Sequence, residues 1–143
     1  MRQTGHTLDI VYDYSEEFEK YCQPIVKAKV DGEELNFLID TGASISSIPK
    51  SFKKRHSLKD SGYKYDTTIL NGTKTLESGA IFEVTISEKK FKMEALYYEP
   101  MLNGKLKIDG LIGYEFLKEN GLIVNAKNHT LCVNTAQTKE SQK

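Results

Sequence analysis

The triplet Asp40-Thr41-Gly42 combines a carboxylate, a hydroxyl side chain and a glycine directly after an apolar run. The run Phe37-Leu38-Ile39 has the character of a buried strand, so it delivers the carboxylate to the point where that strand ends. A glycine just after a strand is typical of a special backbone dihedral or of a close approach by another segment. We therefore expect Asp40 to be held in a fixed position, which suits a carboxylate with an acid–base role.

Hydrolysis of an amide by carboxyl groups alone needs two of them, one ionised to activate water and one protonated to polarise the carbonyl. Two carboxyls about 3 Å apart can do this by sharing one proton. The chain contains one Asp-Thr-Gly; Asp66-Thr67-Thr68 lacks the glycine and Asp109-Gly110 lacks the hydroxyl residue. A twofold axis would pair two copies of Asp40, so we expect a homodimer. The triplet also occurs in ordinary turns after strands. Features elsewhere in the sequence are therefore needed to distinguish a catalytic aspartate from such a turn.

The elements around the triplet are predicted to be mostly strands. Apolar residues alternate with lysines from Pro24 to Val30, Asp31-Gly32 is a tight-turn signal, and Glu33 to Ile39 leads into Asp40. Three further hairpins are predicted, with turns at Asn71-Gly72, Ser87 to Lys90, and Lys127-Asn128.

Helices are predicted only in short pieces. They are expected at Lys50 to His56, with Pro49 placed where this helix could start, and at Tyr114 to Asn120, the second ended by Gly121. Pro100 to Lys107 has the composition of a loop, and Leu8 to Tyr14 is predicted to be a strand or an arm.

Composition argues against several classes of function. Twenty basic and twenty acidic residues leave no net charge, whereas nucleic-acid binding favours a basic excess, so no nucleic-acid partner is expected. Cys22 and Cys132 are far apart, which argues against a zinc site and leaves open whether they pair. No apolar stretch approaches the ~20 residues of a membrane span, and no signal peptide is visible. We expect a cytoplasmic or other soluble compartment, with no membrane partner, cofactor or metal.

Other polar residues fit structural roles better than catalytic ones. The serines Ser44, Ser46 and Ser47 follow the triplet, but no histidine is placed to act as their base in a recognisable motif. We interpret them as hydroxyls that bind backbone groups. Asp109 is expected to have a local structural role, and the histidines, His56 among them, are expected at the surface.

Taken together, these features resemble a retropepsin, the homodimeric aspartic peptidase of retroviruses, retrotransposons and some cellular proteins. The resemblance runs from about Gln23 to Val133. Its first block is Phe37 to Ser44, which matches an apolar-apolar-Asp-Thr-Gly-Ala pattern. Its second block is Asp109 to Leu117, in which Leu111, Ile112 and Gly113 match an apolar-apolar-Gly signature, and Gly113 lies 73 residues after Asp40.

The resemblance implies an all-β fold, a small closed barrel-like structure with one short helix after the Leu-Ile-Gly motif. It implies that Asp40 is catalytic, that Thr41 links the two active-site loops across the dimer axis, and that Gly42 and Ala43 belong to that loop. Gly113 is implied to pack behind the loop. A flap is implied over the substrate, formed by Ile69, Leu70, Asn71, Gly72 and Thr73.

The expected organisation is an extension or arm at residues 1–21, a retropepsin-like domain at 22–134 and a disordered polar tail at 135–143. The expected function is an aspartic endopeptidase that cleaves a peptide or polyprotein held in extended conformation. The alternative is a proteolytically inactive retropepsin-fold module for peptide binding or dimerisation. It is kept because the predicted flap lacks repeated glycines and both chain ends differ from those of retroviral members.

Overall fold

The computed structural model describes residues 8–68, 74–98, 101–103 and 106–134. Within these ranges the chain forms twelve strands and three short helices. In chain order they are β1 Leu8–Asp13, α1 Ser15–Tyr21, β2 Ile25–Val30, β3 Glu33–Ile39, β4 Ser46–Pro49, α2 Ser51–Arg55, β5 Lys59–Thr68, β6 Lys74–Ile86, β7 Lys89–Tyr98, β8 Met101–Asn103, β9 Leu106–Ile108, β10 Gly110–Ile112, α3 Tyr114–Glu119, β11 Leu122–Asn125 and β12 Thr130–Asn134.

Six of the strands close into a barrel. Their order is β2-β3-β10-β4-β7-β6, and pairing of β2 with β6 closes the ring. Most neighbours are antiparallel, but β10 runs parallel to β3 and β4 runs parallel to β7. Strand β5 lies outside the ring and pairs with β6. The predicted all-β, barrel-like fold with a short helix after the Leu-Ile-Gly motif is confirmed.

The hairpin β2–β3 shows how alternation builds the barrel wall. Apolar residues at every second position are buried, whereas Lys27 and Lys29 between them are exposed. The turn places Asp31 at φ 50° and Gly32 at φ 83°, the left-handed pair that a two-residue hairpin turn requires. The predicted hairpin is confirmed, and it aims the end of β3 at the following loop.

The hairpins β6–β7 and β11–β12 are also present, and the first turns at Ser87 and Glu88 rather than across the longer predicted segment. Strand β1 pairs with β12, so a three-stranded sheet, in the order β1-β12-β11, accompanies the barrel. Val11 of β1 and the adjoining Tyr14 are buried in the main core.

Three local features differ from the sequence predictions. Helix α1 was not predicted, although Asp13 Oδ1 accepts the Ser15 backbone N–H at 2.9 Å and two glutamates follow in the first turn, which is a recognisable helix start. The predicted loop after Pro100 contains the short hairpin β8–β9. Pro49 ends β4 instead of beginning a helix, because Ser46 to Pro49 pair with β7 and α2 follows them.

The two cysteines are not bonded to each other; Cys22 is exposed and Cys132 is buried. None of the helices in the described ranges has the length and apolar character required to span a membrane.

The β2–β3 turn is tied to α2 by His56. The ring bonds Asp31 Oδ2 through Nδ1 at 2.7 Å and Glu33 Oε1 through Nε2 at 3.0 Å, and it stacks on Phe52 at 4.1 Å. Only 15% of the side chain is exposed, whereas the sequence predicted a surface histidine. Because a neutral imidazole carries one N–H, donation to both carboxylates requires the protonated ring.

These contacts shift the titration of both partners. Hydrogen bonds to Glu33 and then to Asp31 raise the pKa of His56 above its ordinary value of 6.5. The hydrogen bond from His56, with a smaller contribution from Arg55, lowers the pKa of Glu33. Arg55 reaches Glu33 at 2.8 Å, so the two cations share this carboxylate.

We expect the stability lost in His56→Gln to depend on pH. A raised pKa in the folded state contributes stability that is complete below the ordinary value of 6.5 and is lost as pH rises through the raised value. The lowered pKa of Glu33 acts at the other end, because its contribution is lost as pH falls through the lowered value. The free energies of unfolding of the wild type and His56→Gln, measured with urea, should therefore differ most in mildly acidic buffer and least in alkaline buffer.

The matched control is His129→Gln, because His129 stacks on Phe18 at 4.4 Å but makes no carboxylate hydrogen bond in the described part of the chain. Its cost should vary much less between the same two buffers. A cost of His56→Gln that is equal at all pH values would show that the ring stabilises the fold by packing alone.

Candidate active site

Asp40 lies at the end of β3, where its backbone and side chain are both fixed. Its N–H donates to the carbonyl oxygen of Ile112 at 2.9 Å, and its Oδ1 accepts the Gly42 N–H at 3.0 Å. The Ala43 N–H returns to the Asp40 carbonyl oxygen at 3.1 Å and closes the turn. The carboxylate is thus partly buried and held by a local hydrogen bond, as the sequence led us to expect.

The partner strand of β3 brings the two sequence motifs together. Strand β10 runs parallel to β3, with Gly110 opposite Phe37 and Ile112 opposite Ile39. Because parallel strands in this register end side by side, the residues after them, Asp40 and Gly113, are neighbours. The Asp-Thr-Gly turn and the Leu-Ile-Gly motif therefore form one structural unit.

Gly113 packs directly against the backbone of the loop that follows Asp40. A Cβ at this position would lie 2.6 Å from the carbonyl carbon of Ile45 and 2.9 Å from the carbonyl oxygen of Ala43. Both are backbone atoms, so a side chain there requires the loop itself to move. Glycine at position 113 thus fixes how closely β10 approaches the residues behind the candidate catalytic carboxylate.

The start of α3 binds the same loop. The first N–H groups of a helix have no partner within the helix. Here the Tyr114 N–H donates to the Ala43 carbonyl oxygen at 2.7 Å, and the Glu115 N–H donates to the Ser44 carbonyl oxygen at 3.0 Å. The loop carbonyls therefore accept the free N–H groups of the helix, and these hydrogen bonds fix the position of the loop.

Two buried serines complete the attachment. Ser46 Oγ accepts the Gly113 N–H at 2.9 Å, and Ser47 Oγ accepts the Leu111 N–H at 3.2 Å. The side chains of these serines are almost fully buried. Their interpretation as hydroxyls that bind backbone groups is confirmed by these contacts.

We expect Ser46→Ala to destabilise the fold by about 1–3 kcal/mol, because it leaves the buried Gly113 N–H without its acceptor. Ser44→Ala is the matched control, since Ser44 belongs to the same segment but is exposed. Urea unfolding gives the free energy of each variant. Equal stabilities of the two variants would show that the Ser46 hydroxyl makes no net contribution.

The other predicted site residues fall into three groups. Thr41 and Gly42 are exposed next to Asp40, and Ala43 is half-buried behind them. Leu111 and Ile112 form β10 with Gly110. The predicted flap residues 69–73 lie outside the described residues, although β5 and β6 pair as far as Thr68 and Lys74 on either side of them.

Two further aspartates lie away from Asp40. Asp109 Oδ2 accepts the Asn36 N–H at 2.8 Å in the middle of β3, which gives it a local structural role. The expectation that the chain holds no second Asp-Thr-Gly or Asp-Ser-Gly was wrong, because Asp60-Ser61-Gly62 has the same aspartate–hydroxyl–glycine order. It lies in β5, outside the barrel, and no apolar strand leads into it.

A cavity of about 470 Å³ opens beside the loop, between Ser44, Ile45 and residues of β7 and α3. This cavity could not be predicted from local sequence patterns, because its walls come from three segments that are distant along the chain. No cluster of three or more metal-ligating side chains occurs among the described residues.

Comparison with known proteins places this unit in a family. The family model described as aspartyl protease matches residues 26–116, which include both motifs. "Uncharacterized protein 7" of Soybean chlorotic mottle virus is 30% identical over 111 residues, which cover 76% of this chain and 75% of the viral protein.

Two solved structures show the likeness in fold. The retroviral protease-like domain of Ddi1 from Leishmania major has a TM-score of 0.56 at 14% identity, over 78% of this chain and 87% of that one. The foamy viral protease-reverse transcriptase, solved in complex with an RNA/DNA hybrid, has a TM-score of 0.50 at 20% identity, over 67% of this chain and 12% of that one. The chain belongs to the aspartyl protease family and has the retropepsin fold.

Proposed function

We propose that the chain is an aspartic endopeptidase that acts as a homodimer, with the Asp40 carboxylates of two copies forming the active site. The observation that carries this proposal is the rigid attachment of Asp40. Its backbone is bonded to β10, its carboxylate is bonded to Gly42, and the loop behind it is held by α3. A binding module has no need of a carboxylate fixed in this manner.

The dimer is required by the chemistry. One proton-sharing pair needs two carboxyls, and each chain supplies one at the end of β3. We do not assign the other carboxyl to the second aspartate–hydroxyl–glycine triplet, at Asp60, because among the described strands β5 pairs with β6 and lies outside the ring that contains β3. A twofold axis that passes beside Asp40 provides the missing group.

In the proposed mechanism, the ionised carboxylate of the pair takes a proton from a water molecule as that water attacks the peptide carbonyl carbon. The protonated carboxyl donates a hydrogen bond to the carbonyl oxygen. The proton taken from the water then passes to the leaving nitrogen when the C–N bond breaks. Thr41 and Gly42 are exposed beside Asp40, which leaves them free to contact the second copy and the substrate backbone. Residues 69–73 are proposed to cover the bound peptide and exclude bulk water.

The test is to incubate the wild type and Asp40→Asn with a diverse peptide mixture in mildly acidic buffer and to identify new termini by mass spectrometry. Cleavage by the wild type alone would support the proposal and would also give the sequence preference. A folded wild type that cleaves nothing would leave the alternative, a peptide-binding or dimerisation module of the same fold.

A further inference from the structure

The cavity beside the catalytic loop has no role in the proposed mechanism. One rim consists of Ser44 and Ile45, which directly follow the active-site residue Ala43. The other walls come from β7 and α3. Its volume of about 470 Å³ lies within the range of pockets that bind ligands, roughly 300–1,000 Å³.

Carboxylates dominate the charged groups that line this cavity. Among the described lining residues, Glu94, Glu115 and Glu119 face it, against one cation, Lys92. Within the described part of the chain none of the three carboxylates has an ion-pair partner. Unpaired charges of one sign around a concave surface concentrate the field there, so the cavity attracts a cation.

The cavity also has an apolar part. Phe116 is buried beneath it and Ile45 is half-buried at its edge. Lysine and arginine combine an apolar stem with a charged head, and they cover apolar surface with the stem while the head remains hydrated or paired. A long cationic side chain therefore fits this combination of walls better than a short cation or an apolar residue does.

The position of the cavity connects it to the candidate active site. The Glu115 N–H binds the Ser44 carbonyl oxygen, so the cavity wall and the loop behind Asp40 are joined by a direct hydrogen bond. An extended peptide advances by about 3.3 Å per residue. The cavity rim starts at Ser44, four residues after Asp40 along the chain, so a subsite there would serve a side chain a few residues from the bond that is cut.

We propose that this cavity is a peripheral subsite for a lysine or arginine side chain of the peptide substrate. The inference rests on the proposed peptidase function and adds a substrate class to it: peptides that carry a basic residue a few positions from the scissile bond. The three carboxylates would hold the charged head, and Phe116 with Ile45 would contact the stem.

The test uses paired peptides that differ by lysine or glutamine at each position around a cleaved bond. We expect the wild type to prefer lysine at one position by roughly two- to fivefold in kcat/KM, the size of a partly exposed ion pair. Glu119→Gln and Glu94→Gln should reduce this preference, measured as the ratio of kcat/KM for the lysine peptide to kcat/KM for the glutamine peptide. Lys92→Gln should increase it, and added salt should weaken it.

Glu34→Gln is the matched control, because Glu34 is an exposed glutamate of β3 and does not line the cavity. A lysine preference that is absent, or that survives Glu119→Gln and Glu94→Gln together, would overturn the subsite and leave the peptidase intact. Binding of the paired peptides, labelled with a fluorophore, to Asp40→Asn separates the proposed subsite from the proposed peptidase function. Glutamate-dependent binding of lysine peptides without any cleavage by the wild type would support the subsite alone, and no binding or cleavage of any peptide would overturn both.

Discussion

The variant Asp40→Asn is expected to lose peptide cleavage by at least about 10²–10⁴-fold, the range that follows removal of a general acid or base. The loss should lie at the upper end, because one substitution removes both carboxyls of a symmetric pair. The fold should be unchanged, since the asparagine Oδ1 can still accept the Gly42 N–H that Asp40 accepts at 3.0 Å. Circular dichroism and urea unfolding check the fold, and peptide cleavage checks the activity.

The chain offers a close control for this substitution. In Asp60-Ser61-Gly62, Asp60 Oδ1 accepts the Gly62 N–H at 2.7 Å, the same local contact as in the turn at Asp40. Asp60→Asn removes a carboxylate that makes the equivalent local hydrogen bond in β5, outside the barrel, so it should keep wild-type activity. Equal losses in the two variants would indicate a general effect of the substitution and would count against catalysis by Asp40.

Mixing wild-type and Asp40→Asn chains tests whether the active site is shared. In a one-to-one mixture that exchanges subunits freely, about a quarter of the dimers carry two intact chains, so activity per wild-type chain should fall by about half. A site contained in one chain would retain full activity per wild-type chain. This outcome would contradict the symmetric pair even if Asp40→Asn alone is inactive.

The position of Asp40 could be predicted because its determinants are local. Alternation of apolar and polar residues with a period of two identified both strands of the β2–β3 hairpin, and Asp31-Gly32 fixed their turn. These two features predicted where β3 ends, and therefore that the Asp40 carboxylate is held at that end. The short helix at Tyr114–Glu119 could also be predicted from a local signal, because Gly121, at φ 62°, marks its end.

The contacts that hold the site could not be derived from local patterns. Parallel pairing of β10 with β3 joins segments about 70 residues apart, and only the family resemblance indicated that Gly113 belongs beside Asp40. The ion cluster around His56 and the cavity next to Ser44 likewise combine residues from separate segments. The triplet at Asp60 shows the converse, because a similar local pattern lies in β5, apart from the site.

Gly110 occupies the tightest position in the unit that supports Asp40. A Cβ there would lie 2.1 Å from the Ser47 carbonyl oxygen and 2.9 Å from the ring of Phe37. The first is a backbone atom of β4 and the second belongs to a fully buried side chain, so neither can move away easily. A methyl group at position 110 therefore has to push β10 away from both of its neighbouring strands.

We expect Gly110→Ala to destabilise the protein by about 3 kcal/mol, the upper end of the range for overpacked cores. Displacement of β10 also strains the Asp40 N–H contact with Ile112, so the folded fraction should lose activity as well. Gly42→Ala is the control for stability. Apart from its chain neighbours, the described residue that its Cβ would meet is Asp40, at 3.3 Å from Oδ1, so the free energy of unfolding should change by about 0.5 kcal/mol or less. Urea unfolding in which the two variants are equally stable would show that β10 does not lie as close to β4 and Phe37 as the structure places it.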